Sequence, residues 1–359
     1  LAKLDMNTGA RISLLVNIAA LAAGLAVASR ELLKRLGSRH DWHAVLTISV
    51  LAAILGIDKI RGELQMLQTN TLVLLAMMLG LLLLDKRPAW AGAALGFAIN
   101  VKYQALALLL YLLFRRRWKA AGATILWAAA WGLLPSISVG FRQDLNYLAQ
   151  GFTGVLRLMG VHTAADAANI EPIGSGLSIS ITSAAARFLT AHQITMSPFI
   201  PSGIIALAWL AVLAWCYHRQ KVPAILWPRA RAQTNLPFAG LAAMEWLAVI
   251  AAVLAFSPQT NTRHLVLTTL MFILGWVLLF ETKGRGKWLP ACAMLILWMG
   301  LNLPPGHRTE DGQSGTVAFW HRIGGPSWAL LASMLLLAWP AIAVARARQP
   351  KPLVISPIL

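Results

Sequence analysis

A lysine inside an apolar run is the residue whose position most clearly suggests chemistry. Lys102 lies in the stretch AWAGAALGFAINVKYQALALLLYLLFRRRWK, with Asn100 before it and Gln104 after it. A charge at membrane depth is costly and by default indicates a functional site. A lysine beside the N-terminus of a helix, in a wet pocket, favours an anion such as a phosphate ester. The alternative is a structural ion pair, for which Asp58 and Glu63 are the available partners.

Amide side chains precede the third apolar run, in the stretch GELQMLQTN. Gln68 and Asn70 lie there near the mouth of a predicted helix. Amides both donate and accept hydrogen bonds, so these two residues could orient a sugar or another polar ligand. Ordinary capping of the helix is the alternative.

A third polar group occurs late in the chain, in the stretch FSPQTNTRHLVL. Pro258 ends one predicted helix and the next begins near His264, so Gln259, Arg263 and His264 crowd one turn. Arg263 could add a second phosphate contact, and His264 a hydrogen bond. A solvated loop with a helix-capping residue is the alternative.

The composition identifies the environment of these groups. Of the 359 residues, 58% are hydrophobic and 12% are charged, and the mean hydropathy is +0.65. A soluble domain carries roughly 25% charged residues. The chain is therefore predicted to be an all-α polytopic membrane protein forming a single transmembrane domain over residues 1–359. The predicted apolar runs are 12–30, 43–57, 71–84, 89–114, 119–138, 202–218, 238–256, 264–281, 288–303 and 327–345.

The chain has a net charge of +18, and its basic residues cluster at the ends of these apolar runs. This distribution is typical of membrane topology and argues against a nucleic-acid partner. By the positive-inside rule, six basic clusters are predicted to face the cytoplasm, with the C-terminus on the same side. The clusters are Arg30, Lys34, Arg35 and Arg39; Lys86 and Arg87; Arg115, Arg116, Arg117 and Lys119; Arg219, Lys221, Arg229 and Arg231; Lys283, Arg285 and Lys287; and Arg346, Arg348 and Lys351.

One run, 89–114, carries basic clusters at both ends and therefore cannot cross once. A re-entrant hairpin resolves the conflict: half-helices near 89–100 and 105–114 meet at a break around Lys102. Each half is about 15 Å long at 1.5 Å per residue, so the break lies near the membrane midplane or above it. This interpretation gives about nine crossings plus one hairpin. It places Lys102, the amide pair and the late turn together on the external side.

Segment 139–200 is too polar to cross and is predicted to be an external loop with amphipathic parts. The chain begins at Leu1 without a signal-like segment, and we expect its true N-terminus to lie upstream. Cys216 and Cys292 lie in apolar runs and indicate no redox role. No histidine, cysteine or carboxylate spacing suggests a metal site, and no cofactor is predicted.

Three motifs in this order resemble glycosyltransferase family 87, the polyprenol-phosphate-mannose-dependent glycosyltransferases of the C-type multi-span fold. The motifs are LQTN, the Lys102 stretch, and the late turn. Leu67 replaces a glycine of the family pattern, Asn261 replaces a tryptophan, and the proline that usually follows the lysine is absent. The matching residues are Gln68, Asn70, Ala91, Gly92, Lys102, Ser257, Pro258 and His264. GLSISITSAAARFL faintly resembles a family segment that precedes a helix ending in arginine.

The resemblance implies transfer of a sugar, usually mannose, from a polyprenyl phosphate to a hydroxyl of a glycan or glycolipid acceptor. The reaction would take place on the outer side of the cytoplasmic membrane. It implies that Lys102 and Arg263 bind the donor phosphate, and that Gln68, Asn70, Gln104, Gln259 and His264 orient the donor. The family's general base is a carboxylate on the first external loop, which we expect upstream of Leu1. A lipid-linked-saccharide flippase and a non-catalytic membrane scaffold are the alternatives.

Overall fold

The chain folds into a helical bundle, described by a computed structural model for residues 5–37, 41–158, 172–222, 238–303 and 315–347. Short 3₁₀ helices at Tyr103–Ala105, Thr262–Thr268 and Gly284–Lys287 lead into the α-helices that begin at Leu106, Thr269 and Trp288. The helices are α1 Met6–Leu36, α2 Trp42–Leu55, α3 Ile57–Gln65, α4 Asn70–Leu83, α5 Pro88–Val101, α6 Leu106–Phe114, α7 Trp118–Leu133, α8 Ser136–Val139, α9 Phe141–Leu158, α10 Ile181–Ala191, α11 Phe199–Arg219, α12 Phe238–Phe256, α13 Thr269–Glu281, α14 Trp288–Asn302, α15 Gly315–Arg322 and α16 Gly325–Ala347.

Within these ranges, six helical stretches are long and apolar enough to cross a membrane, and the pair α2–α3, bent by 77°, makes a seventh if it is counted as one span. The all-α polytopic fold is therefore confirmed. The predicted count of about nine crossings also included short runs such as α4 and α14, with 14 and 15 residues. At 1.5 Å per residue these reach about 21–23 Å, short of the roughly 30 Å of a bilayer core, so the count itself stays a prediction.

The chain folds back at Lys102, as the sequence predicts. Lys102 ends α5 in an extended conformation, with φ −146° and ψ 112°, and α6 follows the short 3₁₀ turn. Arg117, after α6, lies 2.8 Å from Asp85, before α5. One straight helix from Asp85 to Arg117 would hold these two residues about 48 Å apart. The two ends therefore share one face of the bundle, and Lys102 lies at the other.

Glycines bring α5 against α7 at van der Waals distance. A Cβ on Gly92 would lie 2.6 Å from the backbone nitrogen of Thr124, and one on Gly96 would lie 2.6 Å from that of Ala128. One turn further, Asn100 donates through Nδ2 to the carbonyl of Ala128 at 2.8 Å. Small residues four apart let membrane helices approach closely. This contact fixes the height of the α5 C-terminus, and hence of Lys102.

Paired charges lie at the bundle end opposite Lys102. Arg35 contacts both Glu31, at 2.6 Å, and Asp85, at 3.1 Å, and both Glu31 and Arg35 are buried. Buried charges require such partners because their desolvation is costly. The predicted cytoplasmic clusters that the structure describes belong to this end. Arg39, Arg229, Arg231, Arg348 and Lys351 lie outside the described residues.

A second group at this end joins α6 to the centre of the bundle. The Glu245 carboxylate on α12 accepts hydrogen bonds from the Tyr111 hydroxyl at 2.9 Å and the Tyr217 hydroxyl at 2.7 Å, and it pairs with Arg115. These contacts connect α6, α11 and α12. The returning half of the hairpin is thereby fixed to two helices that cross the bundle.

Candidate functional site

A cavity of about 250 Å³ opens at the end of the bundle where α5 and α12 stop and α4, α6 and α13 begin. The helices that begin here have the positive ends of their dipoles at this end of the bundle. Six of the seven residues predicted to bind the donor line the cavity, although they come from three separate stretches of chain. The lining consists of Gln68, Lys102, Tyr103, Gln104, Gln259, Asn261, Arg263 and His264.

Lys102 reaches the cavity from the break between α5 and α6. Among the described residues, no carboxylate lies within 4 Å of its ammonium group, so the structural ion pair with Asp58 or Glu63 is not formed. Its Nζ instead lies 3.4 Å from Nε2 of His264. Among the described residues, the ammonium group therefore faces another side chain of the cavity, with no carboxylate within ion-pair distance.

His264 is held by a capping box at the start of the 3₁₀ turn that precedes α13. The Asn261 side chain accepts a hydrogen bond from the backbone N–H of Arg263 at 3.1 Å. In return, the backbone N–H of Asn261 donates to Nδ1 of His264 at 3.2 Å. A neutral imidazole whose Nδ1 accepts must carry its proton on Nε2. The nitrogen that faces Lys102 is therefore a donor.

Lys102 and His264 thus direct two donors at the same space. An ammonium has no acceptor, and neither does a protonated Nε2, so the two groups do not satisfy each other. An acceptor bearing negative charge between them would take a hydrogen bond from each. The exposed guanidinium of Arg263 adds a second cation at the rim of the same cavity.

Gln104 is buried beside this pair without a protein partner. Its side chain is 8% exposed, and within the described residues neither Oε1 nor Nε2 makes a hydrogen bond. Buried amides in proteins are almost always paired, so an orphan of this kind requires an explanation. A hydroxyl-bearing ligand in the cavity would supply both a donor and an acceptor.

Asn70 is the predicted site residue that the structure places outside the cavity lining. It is fully buried, and its backbone and side-chain N–H groups donate to the Glu63 carboxylate at 2.7 and 2.9 Å. Its Nδ2 also lies 3.4 Å from the carbonyl of Arg263. Asn70 therefore connects the start of α4 to the His264 turn. Its contact with a ligand stays a prediction.

Two lining residues, Tyr103 and Asn261, were missing from the predicted set. The Tyr103 hydroxyl lies 2.9 Å from the Ser257 hydroxyl, which joins the hairpin break to the end of α12. Tyr103 directly follows Lys102, and this position is the sequence feature that could have identified it as a lining residue. The role of Asn261 is the capping role that the sequence left open as an alternative.

None of the described residues that line the cavity carries a carboxylate. Asp58 is exposed and Glu63 is 1% exposed, and neither lines it. Across the residues the structure describes, no three histidine, cysteine or acidic side chains gather as a metal site would require. The lining supplies cations, amides and a neutral imidazole, which together can bind an anionic group that carries hydroxyls.

Comparison with known protein families agrees with this arrangement. The family model described as glycosyltransferase family 87 matches residues 1–258, well over half of the chain. The chain belongs to glycosyltransferase family 87. No curated protein and no solved structure matches it. The family 87 match includes Gln68, Lys102 and Gln104 and ends at Pro258, so Arg263 and His264 lie beyond the matched residues.

Membership of family 87 identifies the protein as a membrane glycosyltransferase. The helical bundle agrees with that assignment, because its helices carry large apolar side chains on the outside. Leu110, Leu126 and Leu207 are each more than 60% exposed, as lipid-facing residues are.

Proposed function

We propose that this family 87 glycosyltransferase moves a sugar, mannose, from a polyprenyl-phosphate donor to a hydroxyl of a glycan or glycolipid acceptor. The observation that carries the proposal is the pair of convergent donors, Lys102 Nζ and His264 Nε2, 3.4 Å apart at the cavity. A phosphate bound between them would accept from both. The lipid tail would stay in the bilayer.

Electrostatic stabilisation of the leaving phosphate is the catalytic role proposed for the cations. Negative charge grows on the phosphate as the glycosidic bond breaks. Lys102 is held at the hairpin break and Arg263 at the start of a helical turn, so both positive charges are in place before the reaction. Gln68, Gln104 and Gln259 would orient the sugar hydroxyls, and such positioning lowers the entropic cost of reaching the transition state.

The base that activates the acceptor hydroxyl is, in this proposal, a group outside the eight lining residues. Lys102 is a cation, and His264 already uses its Nδ1 lone pair to accept the Asn261 N–H. Neither can take a proton from a hydroxyl while those contacts hold. The cavity residues are therefore assigned to the donor half of the reaction, and a carboxylate is expected to serve the acceptor half.

The outer face of the cytoplasmic membrane is the proposed location of the reaction. The cavity lies at the opposite end of the hairpin from Asp85 and Arg117. The basic clusters belong to that second end, and positively charged loops stay in the cytoplasm. The cavity would then open toward the outer leaflet, with the C-terminus inside.

Replacement of Lys102 tests the proposal. Full-length protein in nanodiscs would be supplied with radiolabelled polyprenyl-phosphate mannose and a membrane glycolipid extract, and transfer of label would be followed. Removing one fixed donor of this kind lowers turnover by about 10²–10³-fold, so Lys102→Met should lose activity to that degree. Lys119→Met is the matched control, because Lys119 is exposed at the basic end of α7.

Equal rates for Lys102→Met and the wild type would remove Lys102 from the mechanism. Movement of the labelled lipid across the bilayer without any covalent change would instead favour a lipid-linked-saccharide transporter. The same protein in sealed vesicles distinguishes transfer from transport. Transport changes only the leaflet in which the labelled lipid lies, whereas transfer changes the lipid covalently.

A further inference from the structure

A short hydroxyl-rich segment packs against the turn that presents His264. This serine segment, residues 178–183, has the sequence SISITS and includes the first three residues of α10. It lies about 80 residues earlier in the chain than the turn, residues 256–261, that connects α12 to the 3₁₀ helix. An isolated antiparallel bridge pairs Ser178 with Asn261. Asn261 is the residue whose N–H holds the imidazole.

Four hydrogen bonds run from the serine segment to carbonyls of this turn. A helix leaves its last carbonyls without intrahelical partners, and Pro258 brings no N–H to this turn. The serine segment supplies the missing donors. The bonds are Thr182 Oγ1 to the Phe256 carbonyl at 2.6 Å, Ser183 Oγ to Pro258 at 3.1 Å, Ser178 Oγ to Thr260 at 3.1 Å and the Ile179 N–H to Thr260 at 2.9 Å.

The far side of the serine segment is itself fixed to the bundle. Arg187 on α10 donates five hydrogen bonds, all of them to backbone carbonyls. Together these bonds use every N–H of its guanidinium group. Ser327 on α16 donates to the carbonyl of Ile179 at 2.9 Å. The Arg187 acceptors are the carbonyls of Ser175, Ser178, His321 and Arg322. The serine segment therefore links the turn to α16 and holds the turn in a fixed position.

We propose that the serine segment is a positioning element for His264. By holding the 256–261 turn, it fixes the Asn261 N–H, which in turn keeps the proton of His264 on Nε2 and directs it at Lys102. This inference rests on the proposed function, in which that Nε2–H binds the donor phosphate. The residues that act are Thr182 and Ser183, neither of which lines the cavity.

The test removes the hydroxyls of Thr182 and Ser183 and measures which ring nitrogen of His264 carries the proton. In ¹⁵N-histidine-labelled protein, the His264 signals are assigned by comparison with His264→Gln, and their shifts report which nitrogen carries the proton. Wild type should show the Nε2–H form. Thr182→Val/Ser183→Ala should show exchange between tautomers, while Ser202→Ala, which removes a similar bond from Ser202 to the Pro198 carbonyl in α11, should not.

The second measurement is the affinity of the protein in nanodiscs for undecaprenyl phosphate. Losing the fixed donor should weaken affinity about fivefold or more in the double variant and leave Ser202→Ala unchanged. A double variant that melts at lower temperature but keeps both the Nε2–H signature and the wild-type affinity would overturn the proposal, because its hydroxyls would then be structural only.

Failure of the proposed function is distinguishable from failure of this inference. If wild-type protein does not bind undecaprenyl phosphate, the donor assignment is wrong, yet the tautomer signals still decide whether the segment positions His264. Ser183→Ala alone serves if the double variant does not fold, since Thr182 still supports the Phe256 carbonyl. A wild-type tautomer signature in that variant, with unchanged affinity, would also count against the proposal.

Discussion

Arg117 lies 2.8 Å from Asp85, and this contact brings the two ends of the 88–114 segment to one face of the bundle. The lysine midway between them is thereby placed at the opposite face, at the mouth of a cavity. The close approach of α5 to α7 fixes how far Lys102 extends. The predictions below follow from these constraints and from the contacts around them.

Gly92 and Gly96 should tolerate no side chain. A Cβ at either position would come within 2.6 Å of the α7 backbone, which cannot move aside as a flexible side chain would. Overpacking of this kind costs about 1–3 kcal/mol, so Gly96→Ala should lower the melting temperature in nanodiscs. Gly122→Ala is the matched control, because a Cβ there meets nothing within 4 Å. Equal melting temperatures for the two variants would argue against the α5–α7 contact.

Gln104→Leu should change stability and activity in opposite directions. The buried amide has no protein partner, so replacing it with an apolar group removes an unsatisfied group and should leave the melting temperature unchanged or raise it. Binding of undecaprenyl-phosphate mannose should weaken, because the ligand loses the amide. Gln220→Leu is the contrast: Gln220 is equally buried but donates to the Trp339 carbonyl at 2.7 Å, so its loss should destabilise. A Gln104→Leu protein that melts much lower would show that the amide is paired in the protein.

Arg35→Met should be among the most destabilising changes at the end of the bundle opposite Lys102. Glu31 is 1% exposed, and without Arg35 its carboxylate would be left buried with only a distant cation. Breaking one partner of a buried pair costs about 3–5 kcal/mol. Lys34→Met provides the control, because Lys34 is 53% exposed and lies 3.9 Å from the same carboxylate. An exposed pair contributes about 1 kcal/mol or less, so chemical denaturation should separate the two variants.

The sequence predicts the helices better than the contacts between them. Hydrophobic runs set the span boundaries, and the run 238–256 coincides with α12. Two basic clusters flanking one run were enough to predict the break at Lys102. The orientation of Asn70 toward Glu63 could not be predicted, because a buried carboxylate seven residues earlier competes for its N–H groups. The hydrogen bond from Ser183 to the Pro258 carbonyl could not be predicted either. The two residues are 75 positions apart, and nothing in the sequence around either one indicates the contact.

The amphipathic helix α9 is expected to lie in the outer leaflet beside the cavity. Phe141, Leu145, Leu148 and Phe152 recur at helical spacing along one face, and each is at least 40% exposed. α9 begins two residues after a spanning stretch that ends at Val139, so this face lies at the level of the membrane surface. Burial of such a stripe below the headgroups is typical of interfacial helices.

Site-directed spin labels would measure that depth. A nitroxide at Phe152→Cys should collide more with oxygen, which concentrates in the bilayer, than with a water-soluble nickel chelate. At Gln150→Cys, on the polar face of the same helix, the ratio should reverse, because that side chain faces water. Both variants would carry Cys216→Ala and Cys292→Ala to remove the native thiols. The same ratio at both positions would mean that α9 does not rest on the lipid by its apolar face.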